Sequence, residues 1–303
     1  MSSFAYYLAY FLGAYTAATV AFYMLSYVVP KAAFVARLLA SYLSLVVSAL
    51  FGVLVSVLLR LVGLSQIAQW ATARCFKYVM LATTGVTFDV IDPQGHLERV
   101  RPAVFVGNHQ TELDVLMLGC MFPKYCSVTA KSSLRRTPFL GWFMSLSGTI
   151  FIDRKSSRDA REAMRGAADE IRHRRQSVYM FPEGTRSYAK EPVLLPFKKG
   201  AFHLAVQAQV PIVPCVVANY SHILWIKGMV FNSGRIPVKV LDPIPTKGLT
   251  SADVDELTRT TRELMLKELI ALTAQVRGTD LPTSEPVGNG AARATGVDLK
   301  VAA

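Results

Sequence analysis

The chain holds 303 residues, 52% of them hydrophobic, with 33 basic against 21 acidic side chains and a formal net charge of +12. That length allows one or two domains, and the basic surplus suits nucleic acid, an anionic membrane face or a phosphorylated substrate. No zinc-finger, RNA-binding or helix-turn-helix signature accompanies it, so the last two are the better readings and no nucleic-acid partner is expected.

The charge is unevenly placed. No acidic residue precedes Asp89, and the first 88 positions carry only Lys31, Arg37, Arg60, Arg74 and Lys77, so the remainder holds 28 basic and 21 acidic residues. Residues 1–30 and 38–59 carry no charge. As helices they would reach about 45 and about 33 Å, against a hydrocarbon core of about 30 Å. Positions 1–63 therefore read as a membrane-anchoring helical hairpin. A secretory signal fits poorly, because no basic segment leads the chain and the first apolar run is too long. Six tyrosines between Tyr6 and Tyr27 make the first segment less lipid-like than the second and suit an interfacial position. A crossing pair and a hairpin dipping into one leaflet both fit; a buried two-helix core is the competing reading. Positive-inside counting sets Arg60, Arg74 and Lys77 on the far flank against Lys31 and Arg37 in the turn, and so favours a cytosol-facing body.

Leu64 to Met80 has mixed polarity and reads as an amphipathic helix joining membrane to body. Apolar runs at 86–91, 102–107, 126–130, 148–152, 177–182, 211–218 and 236–241 then read as strands. Helices are expected between them at about 112–121, 138–146, 157–175 and 199–208. A last one runs from about 252 to 276 with Ser251 as N-cap and Asp253 and Asp255 in its first turn. Strand-helix alternation predicts an α/β fold, a mixed and largely parallel sheet flanked by helices, over residues 64–277. The Gly-, Pro-, Thr- and Ala-rich tail at 278–303 is expected to be disordered. Cys75, Cys120, Cys126 and Cys215 show no paired spacing and read as reduced and mostly buried. No metal cluster is expected.

Four blocks stand where such sheets gather their sites, at strand ends. The first is Asn108-His109-Gln110-Thr111-Glu112-Leu113-Asp114. With His109 in the turn after a strand and Asp114 in the first turn of a helix, the imidazole can take a proton from a hydroxyl while the carboxylate orients the ring. A capping box from Thr111 to Asp114, with the carboxylate taken by backbone amides, weighs about evenly against the dyad. The second is Phe181-Pro182-Glu183-Gly184-Thr185-Arg186-Ser187. Here Gly184 lets backbone amides approach a ligand and Arg186 offers a fork for phosphate oxygens; an ordinary strand-end turn is the plain alternative. The third, Gly148 to Arg154, ends in another cation, as the strand before Ser132 ends in Lys131. Taken singly each of these is a solvated strand-end charge, and together they suggest a convergent anion site. The fourth, Val210-Pro211-Ile212-Val213-Pro214, holds no titratable group and fits an edge strand or a strand entrance. Lys198 and Lys199 suit phosphate or headgroup contact and a solvated helix start equally. His173, His203 and His222 lack a carboxylate at useful spacing and read as structural or surface residues. The charge-dense helix at 157–175 reads as a solvated face, with cations at its C-terminal end.

In order and spacing these blocks resemble the glycerolipid acyltransferases, in particular the 1-acylglycerol-3-phosphate (lysophosphatidate) acyltransferases, from about Gln66 to about Lys247. Thr137 to Met144 and Leu195 to His203 look most similar to the fungal enzymes. The resemblance implies transfer of a fatty acyl group from acyl-CoA to the sn-2 hydroxyl of lysophosphatidic acid, forming phosphatidic acid. It implies His109 as general base assisted by Asp114 with no acyl-enzyme, and Glu183, Gly184, Thr185, Arg186, Arg154 and Lys131 as substrate-binding residues. Acyl-CoA then enters as a co-substrate with no bound cofactor, at a membrane of the endoplasmic reticulum or a lipid droplet. Two readings compete from outside that reaction: a catalytically silent membrane scaffold that binds anionic lipid, and a soluble α/β hydrolase, against which stands the lack of a Gly-x-Ser-x-Gly nucleophile elbow.

Overall fold

The computed structural model describes residues 3–153 and 157–278. Arg154 and the expected disordered tail beyond Gly278 lie outside them. Two long helices come first, α1 (Ser3–Leu25) and α2 (Ala32–Leu61), followed by α3 (Ala68–Thr84). On α2 the residues Ala32, Ala36, Ala40, Ser44, Ser48, Gly52 and Ser56 are buried. A small side chain at every fourth position leaves a shallow furrow into which another helix can settle closely. The neighbour is α3, whose Ala68, Thr72, Phe76, Met80 and Thr84 form the matching buried stripe. The two run antiparallel: Ser44 Oγ lies 2.9 Å from Thr83 Oγ1, and Arg37 donates to the carbonyls of Thr84 at 3.1 Å and Phe231 at 2.9 Å. On α1, Tyr15 donates to the Leu39 carbonyl at 2.8 Å and Tyr23 to that of Thr83. By length and apolar composition α2 is able to cross a membrane, whereas the apolar stretch of α1, Ala9–Leu25, is shorter.

The body alternates β1 (Val86–Ile91), a single helical turn α4 (His96–Arg99), β2 (Val104–Gly107), α5 (Asp114–Met121), β3 (Cys126–Lys131), α6 (Leu140–Leu146), β4 (Ile150–Ile152), α7 (Ser157–Arg174), β5 (Ser177–Met180), α8 (Gly200–Ala208) and β6 (Ile212–Val217). A two-rung hairpin, β7 (Leu224–Trp225) with β8 (Val230–Phe231), leads to β9 (Gly234–Val240) and the closing helix α9 (Val254–Arg277). All seven expected strands are present. The short hairpin was not expected, because two-residue strands leave no periodicity to read. The cap of the last helical segment is Thr250, not Ser251: its hydroxyl accepts from Ala252 N, and Asp253 completes a capping box.

The seven main strands form one mixed sheet in the order β1-β9-β6-β2-β5-β3-β4. Every pairing is parallel except that of β6 with β9. Alternation in β2, β5 and β6 sends side chains to two separate cores. Phe105, Tyr179, Val213 and Cys215 pack with Phe76, Met80, Leu116 and Met117 from α3 and α5. Val104, Val178, Met180 and Ile212 pack with Ile171, Phe202, Leu204 and Met265 from α7, α8 and α9. The fold is therefore a three-layer sandwich with the sheet in the middle.

Of the two prolines in the fourth block, Pro211 stands just before β6, the strand entrance that was one reading, while Pro214 lies inside a central strand and not at an edge. The carbonyl of Pro214 accepts from Leu241 N at 2.8 Å, so its missing N–H also faces the β9 side, one step before the pairing of Cys215 with Val240 begins. Pro237 on β9 does the same at the other end, its carbonyl accepting from Ala218 N at 3.2 Å just past the pairing of Val217 with Val238. Two prolines thus bracket the antiparallel seam, and the β2 ladder loses no bond.

Candidate active site

Strands β6, β2, β5, β3 and β4 are parallel, so their C-terminal ends share one edge of the sheet. From that edge leave the loop with His109 after β2, the loop with Glu183 to Arg186 after its neighbour β5, and Lys131 at the end of β3. Arg154 follows β4 in sequence but lies outside the described residues.

The His109 loop is pinned on both sides. The Asn108 side chain acts as an extra rung toward β6, donating to the Val217 carbonyl at 3.0 Å and accepting from Val217 N at 2.8 Å. Gln110 donates to the carbonyls of Val217 and Ala218 at 3.2 and 2.9 Å. On the other flank Ser187 N and Tyr188 N donate to the carbonyls of His109 and Gln110 at 3.0 and 3.1 Å.

His109 Nδ1 lies 2.7 Å from Asp114 Oδ2, with the imidazole 18% exposed and the carboxylate fully buried. The ring stacks on Phe181, centroids 4.1 Å apart. Asp114 Oδ2 also accepts from Gln110 N at 2.6 Å and Thr111 N at 3.1 Å, and Oδ1 accepts from the Tyr220 hydroxyl at 2.7 Å. Both sequence readings of this carboxylate therefore hold at once: it meets the imidazole and it takes backbone amides. Thr111, expected as N-cap, stands three residues ahead of the helix and instead bonds Leu113 N and Tyr220. An acceptor-only carboxylate obliges Nδ1 to carry the proton, which leaves the lone pair on Nε2. Behind the dyad, Arg74 of α3 holds the end of α5 through the carbonyls of Gly119, Cys120 and Phe122, satisfying groups a helix end leaves open.

Glu183 is 3% exposed. One carboxylate oxygen accepts from His109 N at 2.7 Å, the other from Leu195 N at 2.9 Å. Leu194 and Leu195 are in turn tied by their carbonyls to Arg262 of α9. Burial pushes the Glu183 carboxyl up from its ordinary value, and the two amide bonds pull against that. Expected among the phosphate ligands, Glu183 faces backbone. Gly184 has φ +69°, and a Cβ there would lie 2.9 Å from the Lys198 side chain, so glycine lets that cation lie across the loop. Thr185 and Arg186 are exposed. The Arg186 guanidinium pairs with Glu112 and donates to Tyr188 Oη at 2.7 Å, and Tyr188 donates to Glu112 at 2.7 Å. Tyr220 escaped the sequence reading, and Phe181 and Glu112 stood in its blocks without a role; the one available signal for Tyr220 was its place after the apolar run of β6, at a strand end.

The Acyltransferase family pattern matches residues 91–218. The 1-acyl-sn-glycerol-3-phosphate acyltransferase of Saccharomyces cerevisiae is 43% identical over 234 residues, 77% of each chain. The chain belongs to the 1-acyl-sn-glycerol-3-phosphate acyltransferase family. The human beta enzyme of that name is 39% identical over 74% of each chain. This acyltransferase also shares the fold of the Thermotoga maritima 1-acyl-sn-glycerophosphate (LPA) acyltransferase crystal structure, with TM-score 0.60 and 22% identity over 86% of this chain and 96% of that one.

Proposed function

We propose that this acyltransferase moves a fatty acyl group from acyl-CoA to the sn-2 hydroxyl of lysophosphatidic acid. The observation that carries the reading is the 2.7 Å bond from His109 Nδ1 to the buried Asp114 carboxylate, which leaves Nε2 free to accept a proton. His109 Nε2 takes the hydroxyl proton as the oxygen attacks the thioester carbonyl. Asp114 steadies the imidazolium; as the tetrahedral adduct collapses, coenzyme A departs as thiolate and receives that proton, giving free thiol. Both reactants are bound together, so no acyl-enzyme is needed. Backbone amides of the strand-end loops support the oxyanion.

Arg186, Lys131 and Arg154, with Gly184 and Thr185, receive the phosphate. An exposed ion pair such as Arg186 with Glu112 is worth about 0–1 kcal/mol, so a phosphate displaces the carboxylate easily. Glu183 supports the site by fixing the His109 loop. A pocket of about 110 Å³ between α2, α3, α5 and α6, lined by Leu45, Ala49, Phe76, Val115, Leu118 and Phe143 among others, starts one residue after Asp114 and suits an acyl chain. Anchoring by the apolar head places this edge at the bilayer, in our reading of the endoplasmic reticulum with the body toward the cytosol, and spares extraction of acyl chains at about 0.8 kcal/mol per CH₂.

The test is an acceptor panel with radiolabelled acyl-CoA on the purified full chain and on His109→Ala. Lysophosphatidate should be consumed in preference to lysophosphatidylcholine, and His109→Ala should lose roughly two to four orders of magnitude in rate. Equal use of both acceptors would remove the substrate; an active His109→Ala would remove the base.

A further inference from the structure

We propose that Tyr220 is a positioning residue of the dyad, whose phenol fixes the Asp114 carboxylate with Oδ2 toward His109 and sets the strength of the imidazole as a base. This deepens the reading of His109 as general base and rests on it.

Tyr220 lies outside the four motif blocks, two residues past Ala218, and is 1% exposed. Its ring is held edge-on to Phe88, centroids 6.0 Å apart. The direction of each hydrogen bond follows from counting protons. Thr111 Oγ1 accepts from Leu113 N at 3.2 Å and lies 2.9 Å from Tyr220 Oη. Thr111 N also donates to Tyr220 Oη at 3.1 Å. The phenol oxygen therefore takes its acceptor bonds from Thr111, and its one proton goes to Asp114 Oδ1 at 2.7 Å. Burial and the neighbouring Asp114 push the Tyr220 phenol well above its ordinary value, so it stays a donor throughout the working range. With His109, Gln110 N and Thr111 N on Oδ2, both oxygens of the carboxylate are engaged and it cannot rotate without breaking several bonds at once.

The electrostatic consequence has a sign. A hydrogen bond to the charged form spreads its charge. Removing the phenol proton leaves more negative charge facing the ring, which favours imidazolium and raises the pH at which the base becomes available. Among the described residues, the titratable groups around the dyad include Asp114 from α5, Glu183 from the loop after β5, Tyr179 from β5, and Cys215 and Tyr220 from β6 and its end, with Lys198 across the Gly184 turn and Glu112 and Arg186 farther out on the rim. Tyr179 stays neutral, its phenol pushed well up by burial. Glu183, whose carboxyl is also raised, is the other group able to move an acidic limb, so the comparison is repeated with Glu183→Gln present.

The experiment measures kcat, KM and their pH profiles for the full chain in detergent micelles with lysophosphatidate and acyl-CoA. Tyr220→Phe, which removes one oxygen and keeps the ring, should lower kcat roughly tenfold, the worth of one charge-assisted hydrogen bond. KM for lysophosphatidate should change less than about twofold, because the phenol touches no substrate. The acidic limb should move upward by about half a unit, with or without Glu183→Gln. In an Asp114→Asn background the Tyr220→Phe penalty should shrink below about twofold, because coupled residues are not additive.

An unmoved limb with wild-type kcat overturns the proposal. So does a lower kcat accompanied only by a lower thermal midpoint, or a full tenfold penalty persisting in Asp114→Asn. If Tyr220→Phe does not fold, Thr111→Val removes the hydroxyl that bonds the phenol oxygen and should move the limb the same way by less; an unmoved limb there is equally fatal. An active His109→Ala would instead sink the general-base reading, whereas an inactive His109→Ala beside a wild-type-like Tyr220→Phe sinks only this inference.

Discussion

Glu183 holds the His109 loop from a buried position through two backbone amides. The Glu183 carboxyl sits above its ordinary value of 4.5 because burial outweighs its two amide bonds. A carboxyl raised in the fold is stabilising in its protonated form: that contribution is complete below 4.5 and is lost as pH climbs through the folded value. Glu183→Gln cannot titrate, so the unfolding free energy of wild type minus that of Glu183→Gln should fall as pH rises through the window opening at 4.5, then level off toward neutrality. Thermal midpoints of the two proteins across that range check it, and a constant difference would contradict it. The spacing of His109 and Asp114 was legible because strand, turn and helix start are local events. Tyr220 was not, because its bond to Asp114 spans 106 positions and exists only where β6 lies beside β2. Arg186 was legible as a strand-end cation, but its pairing with Glu112 joins two loops that meet only in the sheet.

Among the elements, α6 shows how one missing side chain sets a contact. A Cβ on Gly52 of α2 would lie 2.6 Å from the Phe143 ring and 2.8 Å from the Thr72 methyl. Neither distance is tolerable without movement, so Gly52→Ala overpacks this junction by about 1–3 kcal/mol, against a gain of at most about 1 kcal/mol from helix propensity. The expected outcome is a lower thermal midpoint, and, because Phe143 also lines the apolar pocket, a shift toward shorter acyl-CoA in a chain-length panel. A higher midpoint would mean that the helices separate freely at this crossing. The strands were readable from their apolar runs, since central parallel strands are buried on both faces. Pro214 misled because a proline is costly only where its missing N–H faces a partner, and which side that is depends on register.

At the level of the molecule, α2 is both the apolar helix suited to a bilayer and a wall of the body. Phe34 joins the same core as Phe76 and Met80, and the α2 furrow covers the buried stripe of α3. A chain beginning at Leu64 would bare that stripe, so it should be recovered aggregated and inactive, whereas one beginning at Val29 should keep a folded body; size-exclusion chromatography in detergent distinguishes them, and a monodisperse active product from Leu64 would refute the shared core. Composition announced an apolar head and a basic body, but not that the head's second helix is packed into the core, because an uncharged helix reads alike whether lipid or protein surrounds it. The bracketed seam also decides which end of α2 faces the dyad. By reversing the polarity of β9, and with it β1, it turns the start of β1 toward the edge where the dyad stands. Since α3 runs directly into β1 through Gly85, and α2 lies antiparallel to α3, the beginning of α2 and the turn holding Lys31 arrive at the same rim. Had those two strands pointed the other way, the opposite end of α2 would border the His109 loop.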